Sequence, residues 1–133
     1  MAEQRRKPLH FVSSSLKDLR AMPEEVKDMF GAALLDAQYG EHPEGARPFG
    51  EGAPREVMKL VEDHDGNTYR AAYTVALPRA VYVLHVFTKK SKSGIATPRP
   101  EKGRIRVRLQ TAREHHAKHY EAGYESRVEQ EVK

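Results

Sequence analysis

Apolar residues along this chain recur with two different periods, and the switches between them mark its elements. Leu9-His10-Phe11-Val12 is a short apolar run closed by Ser13-Ser14-Ser15, which predicts a strand followed by a helix N-cap. Leu16 and Leu19 then share a helical face as far as Pro23, a residue that breaks a helix interior but suits the first turn of a new helix. Val26, Phe30, Leu34 and Ala37 follow at helical spacing until Gly40, a natural stop. Residues 14–39 thus predict two helices folded against one sheet face.

Residues 40–54 hold Gly40, Pro43, Gly45, Pro48, Gly50, Gly52 and Pro54, and predict a loop. It is long for a compact fold, which points to a functional or mobile segment. Three strands are expected next, over 57–61, 68–77 and 81–88, with a turn at His64-Asp65-Gly66-Asn67 and another at Pro78-Arg79. Val81-Tyr82-Val83-Leu84-His85-Val86-Phe87 is apolar on both faces, the pattern of a central strand, and the three together predict an antiparallel meander. Residues 104–109 alternate like a strand, yet Ile105, Leu109, Ala112 and His116 also form a helical stripe continued toward Tyr120. The charged pattern runs from Glu101 to about Tyr120, too long for a strand, so a helix is expected there. The division that follows is a disordered lead over 1–7, a single domain over 8–122 and a charged tail over 123–133.

Composition narrows the class. The 133 residues are 38% hydrophobic and 32% charged, with no cysteine, which excludes a disulfide scaffold and any thiolate metal site. A mean hydropathy of −0.76 indicates a wet, highly charged surface. No apolar run comes near the ~18 residues of a membrane span. Residues 1–8 are charged and lead into no apolar signal core, so a cytoplasmic protein is expected.

The net charge of +4 is unevenly spread. From Lys89 to Lys118 there are ten Lys or Arg against Glu101 and Glu114, a net +8, which leaves −4 on the rest of the chain. Such segregation suits a polyanion partner, although a solvated charged face would look the same. Arg70 stands among Ala71, Ala72 and Ala76, with the room that a phosphate-gripping arginine needs. The plainer alternative is an outward arginine, or one paired with Glu62 or Asp63 across the hairpin. Lys89 and Lys90 close a buried strand and would be aimed by it; edge protection is the bland reading of such a pair. His115 and His119 have a spacing that can grip zinc, but no Glu lies between them in the zincin manner and no third ligand is evident, so no metal is expected.

Taken together, these pieces are more specific. Residues 19–26 (Leu-Arg-Ala-Met-Pro-Glu-Glu-Val), Phe30-Gly31, Gln38-Tyr39-Gly40, the segment Asp65 to Tyr73, and above all Val81 to Phe87 with Lys89-Lys90-Ser91-Lys92-Ser93-Gly94-Ile95-Ala96-Thr97-Pro98 resemble the RelE/HigB superfamily of toxin–antitoxin toxins, in particular its phage-derived HigB-like branch. The resemblance covers about residues 8–120, in the family's order. It implies an α+β fold of the RelE type, with two N-terminal helices packed on a small twisted antiparallel sheet and a C-terminal helix. It also implies a metal- and cofactor-independent, ribosome-dependent mRNA endonuclease, with a helix-turn-helix antitoxin, the ribosome and mRNA as partners. ParE-like relatives inhibit DNA gyrase instead, so a gyrase-binding or non-enzymatic nucleic-acid-binding module is the rival class.

The resemblance carries roles residue by residue. Arg70 matches the strand arginine that contacts the scissile phosphate, Lys90 with Lys89 matches a basic position at the end of the last strand, and Lys59 lies near a basic residue on the preceding one. Lys92, Arg99, Arg104 and Arg108 are the expected RNA-binding residues. RNA cutters of this kind also use a late Tyr or His, for which His115, His116, His119 and Tyr120 are candidates. The stripe predicts that His116 packs inward and that His115 and His119, on the Arg104–Arg108 side, face the basic cleft, which ranks them first for proton transfer. Cleavage by the RNA's own 2′-hydroxyl asks for in-line positioning, charge stabilisation and two proton transfers, and Arg and Lys supply the charge without a metal.

Overall fold

The computed structural model describes residues 5–89 and 97–122. The elements are β1 (Leu9–Phe11), α1 (Ser15–Arg20), α2 (Glu24–Gln38), β2 (Arg47–Pro48), β3 (Met58–His64), β4 (Asn67–Thr74), β5 (Val81–Lys89) and α3 (Arg99–His116), continued by a π-helical turn over Ala117–Ala122. The fold is α+β, with a five-stranded sheet in the order β1-β5-β4-β3-β2. The pairs β2–β3, β3–β4 and β4–β5 are antiparallel, and β1 lies parallel to β5 in the register Leu9↔Val81. A strand apolar on both faces needs partners on both edges. β1 supplies the second partner, with Val81 N–H donating to the Pro8 carbonyl at 2.9 Å and Val12 N–H to that of Val83 at 2.9 Å.

Side chains alternate across a strand, so the sheet feeds two cores. On one face, Leu19, Met22, Val26, Phe30 and Leu34 of α1, α2 and their link pack against Leu60, Tyr69, Ala71, Tyr73, Val81 and Val83. On the other, Ile105, Leu109 and Ala112 of α3 pack against Ala72, Tyr82, Leu84 and Phe87, with Phe49 and Val57 beside them. The expected two helices on one face are present, and α3 covers the opposite one.

One irregularity reorganises β5. Tyr73 pairs with Val83 and Ala72 with His85, so Leu84 is an extra residue opposite the Ala72/Tyr73 step. A bulge of this kind turns two consecutive side chains to one side. Leu84 packs in the α3 core and His85 contacts α3 as well. Beyond it, the parity of the strand is reversed, and Phe87 and Lys89 join the α3 face. Without the bulge they would share the face of Val81 and Val83.

Elsewhere the boundaries move for local reasons. β3 runs to His64, and the hairpin turns tightly on Asp65 and Gly66, both with positive φ (49° and 79°), as a type I′ turn requires. β4 stops at Thr74 rather than 77, because the Thr74 hydroxyl accepts from Ala76 N–H at 3.1 Å and turns the chain. The expected loop over 40–54 contains β2, whose Arg47 and Pro48 pair with Lys59 and Met58 on β3.

Candidate phosphate-binding site

Arg70 sits mid-strand on β4, paired with Phe87 on β5 and Val61 on β3, and points to the α3 face of the sheet. Its side chain is 14% exposed. The alanine at 72, two residues along the same face, is fully buried and leaves it space. Arg70 meets neither Glu62 nor Asp63. Its Nη1 donates to Thr97 Oγ1 at 2.7 Å and lies 3.4 Å from Glu51 Oε2. Its Nε is buried with no partner among the described residues.

Lys59 projects from β3 to the same face, 5.4 Å from the centre of the Phe49 ring and 3.7 Å from Glu51 Oε2. Lys89 ends β5 on this face and is only 5% exposed. Burial lowers the pKa of its ammonium, Arg70 lowers it further, and Glu51 partly offsets both. Arg70, Lys59 and Lys89 are thus brought together. Lys90 and Lys92 lie outside the described residues.

Glu51 is the anion at the centre of this group. One carboxylate oxygen accepts from Thr97 N–H at 2.6 Å, and the other from the Thr97 hydroxyl at 2.9 Å. Burial pushes its pKa up, but the Thr97 amide and hydroxyl, Lys59 and Arg70 outweigh burial and hold it below the usual carboxylate value. The arrangement is therefore a place for an oxyanion, built from a guanidinium, an ammonium, a hydroxyl and a backbone amide.

The cations of α3 are engaged differently. Arg108 Nη1 donates to the Leu84 carbonyl at 3.1 Å and to His85 Nδ1 at 2.9 Å, and its Nη2 donates to Ser14 Oγ at 3.1 Å. It ties α3 to β5 and to the start of α1. Arg104 is 55% exposed and pairs with Glu101 one turn away. Arg99 is exposed at the first turn of the helix. Arg104 and Arg108 line a cleft of about 550 Å³ between α1, β5 and α3, whose walls include Met22, Tyr69, His85, Phe87 and Glu101.

His85 is a buried polar residue at that cleft. An arginine only donates, so His85 Nδ1 accepts from Arg108 and the ring proton belongs on Nε2, which faces the Glu101 carboxylate at 3.2 Å without the alignment of a hydrogen bond. Burial lowers its pKa, as do Arg108 and Arg104, while Glu101 works in the other direction.

The late histidines gather at the other end of α3. His115 Nδ1 is 2.7 Å from the Tyr82 hydroxyl, its ring stacks on His119 at 4.0 Å, and His10 lies 4.6 Å away on β1. His119 Nδ1 donates to the His115 carbonyl at 3.0 Å. The Tyr120 hydroxyl is 2.5 Å from His10 Nε2. Tyr82 pairs with Thr74 and Phe87 with Arg70, so this cluster is five residues of β5 from the Arg70 site, about 16 Å at the rise of a strand. His115 and His119 therefore face the β1–β5 edge and not the Arg70 group. His116 packs inward as its stripe predicts, 1% exposed, and accepts from Arg79 N–H at 3.1 Å.

Glu51, Thr97 and His85 are the residues that sequence reasoning passed over. The loop over 40–54 is legible from its glycines, prolines and length, but nothing in its composition singles out Glu51. Thr97 reads as punctuation before Pro98, and His85 is hidden in an apolar run.

The family described as "Phage derived protein Gp49-like (DUF891)" matches residues 17–110, from α1 into α3. No curated protein matches the chain. Among solved structures, the chain is similar to a mutant of the E. coli toxin RelE in the free state, at 22% identity and a TM-score of 0.47, over 62% of this chain and 82% of that one. It is also similar to the toxin–antitoxin complex RelBE2 from Mycobacterium tuberculosis, at 17% identity and a TM-score of 0.40, over 68% of this chain and 100% of that one. The family match falls on phage-derived relatives, the branch to which the sequence itself points.

Proposed function

This chain belongs to the phage-derived Gp49-like family, and we propose that it is the toxin of a type II toxin–antitoxin system, a metal-independent mRNA endonuclease acting on the ribosome, with residues 8–122 as its working domain. The observation that carries this reading is the convergence of Arg70, Lys59 and Lys89 on one face of the sheet, around an oxyanion that the protein already holds. In that role Arg70 and Lys59 offset charge on the non-bridging oxygens while the 2′-oxygen attacks phosphorus in line. The bond to the 5′-oxygen breaks, leaving a 2′,3′-cyclic phosphate and a 5′-hydroxyl. Lys89, which ends β5 on this face and whose ammonium pKa is lowered by burial, takes the 2′-hydroxyl proton as the free amine, while a proton from solvent passes to the leaving 5′-oxygen. His115 and His119, beside the Tyr82 end of β5 and away from Arg70, serve the C-terminal packing instead.

The antitoxin implied by the sequence resemblance is a helix-turn-helix protein that neutralises this one in the cytoplasm. Induction of the chain alone is expected to arrest growth, with arrest relieved by Arg70→Ala or by co-expression of such a partner. Undiminished arrest by a well-expressed Arg70→Ala protein would remove the site from the account. One observation favours a second reading: Arg108 and Arg113 of α3 are engaged with groups of the protein itself, which suits a protein target such as gyrase better than a long phosphate track.

A further inference from the structure

The Glu51 carboxylate sits among the donors of the Arg70 group. Its two oxygens take Thr97 N–H, the Thr97 hydroxyl, Arg70 Nη1 and, at 3.7 Å, the Lys59 ammonium. Its backbone is in the left-handed region, φ 54°, between Gly50 and Gly52, which also have positive φ. A glutamate has no intrinsic preference for that conformation. The turn itself is fastened separately. Lys102 Nζ donates to the Glu51 carbonyl at 3.4 Å and Arg106 Nη2 to the Gly52 carbonyl at 2.6 Å. The carboxylate can therefore swing out by side-chain rotation while the loop stays docked.

Resting on the reading of Arg70 as a phosphate ligand, we propose that Thr97 completes the phosphate site with Arg70 and Lys59, and that Glu51 fills this site in the free protein as a displaceable carboxylate. The ligand class is a phosphodiester of single-stranded RNA. One of its non-bridging oxygens replaces each carboxylate oxygen, so every donor keeps an acceptor. The buried Arg70 Nε, which Glu51 leaves without a partner, gives the phosphate a donor that the carboxylate does not use. Glu51 thus keeps the cationic site satisfied until RNA is delivered, at a cost to affinity equal to the fraction of molecules in which it has swung out.

The test measures binding by the free, full-length protein, using a fluorescent five-residue oligouridylate with inorganic phosphate as competitor. Glu51→Gly removes the carboxylate and suits the positive φ, so the fold is retained. It is expected to bind the oligonucleotide at least about tenfold more tightly than the wild type. Glu62→Gln, which removes one negative charge elsewhere, is expected to change affinity less than about twofold. Adding Thr97→Val to Glu51→Gly is expected to cancel most of the gain, and phosphate is expected to compete more effectively in the single variant than in the double. Equal affinity of wild type and Glu51→Gly overturns the proposal, as does a gain that survives Thr97→Val. Oligonucleotide binding as expected, with mRNA left intact on ribosomes, supports this proposal and overturns the nuclease reading.

Discussion

Arg70 donates through Nη1 to Thr97 and Glu51 and keeps its Nε in reserve. Truncation removes both its charge and its planar fork, whereas lysine restores only the charge. Arg70→Ala is expected to slow single-turnover cleavage on ribosomes by about a hundred- to a thousand-fold, the loss of a transition-state contact of ~3–4 kcal/mol. Arg70→Lys is expected to recover part of this, and circular dichroism of both variants to match the wild type. The histidines make a prediction of a different kind. Burial lowers the pKa of His10, His85 and His115; neighbouring histidines add to this for His10 and His115, and arginines for His85, where Glu101 opposes. A folded imidazole with a depressed pKa binds fewer protons than the unfolded chain does. Its contribution to stability is therefore complete above the unfolded value of ~6.5 and is lost as pH falls through the folded values. The urea midpoint is expected to be lower at pH 5 than at pH 7.5, with a smaller fall in a His10→Gln/His115→Gln variant. Equal midpoints for the wild type at the two pH values would contradict this.

At the scale of elements, α3 depends on a stripe of Ile105, Leu109, Ala112 and His116, all buried against the sheet. Leu109→Ala is expected to cost about 2–5 kcal/mol, read as a fall in the urea midpoint without a change in slope. His116→Ala leaves Arg79 N–H without its acceptor and opens a cavity, and is expected to cost about 2–4 kcal/mol by the same measurement. The stripe was legible because its spacing is helical whatever it packs on. The α1–α2 face and the centrality of β5 were legible for the same reason, since period and two-sided burial are written in residue types. The bulge at Leu84 was not. In a run apolar on both faces, inserting one residue changes no pattern, yet it moves Lys89 from the α1–α2 face to that of Arg70. The parallel pairing of β1 was also hidden, because a three-residue strand carries no signal of direction.

Across the whole molecule, the surplus of +8 between Lys89 and Lys118 overstates the surface offered to a polyanion. Arg104 and Arg113 pair with Glu101 and Glu56, while Lys102, Arg106 and Arg108 donate to backbone carbonyls. Sequence counts cations but not the acceptors that the fold brings to them. Among the described residues, Arg70, Lys59 and Lys89 form the group gathered at the candidate phosphate site, and by themselves they neutralise two or three phosphates. The log–log dependence of single-stranded RNA affinity on salt is then expected to have a slope of about −1.4 to −2.1. A slope near −3.5, about five phosphates, would mean that cations beyond these three, such as Arg99 or those of α3, also meet RNA.

The reading of this chain as a ribosome-dependent RNA cutter rests on the oxyanion site of Arg70, Lys59 and Lys89, and its most direct test is primer extension on a defined mRNA. Purified protein is added to translating ribosomes charged with that mRNA, alongside the Arg70→Ala variant and a sample without ribosomes. Discrete cleavage products are expected with the wild type on ribosomes, and their loss without ribosomes or with Arg70→Ala. Intact mRNA with the wild-type protein, or equal cleavage by Arg70→Ala, would contradict that reading.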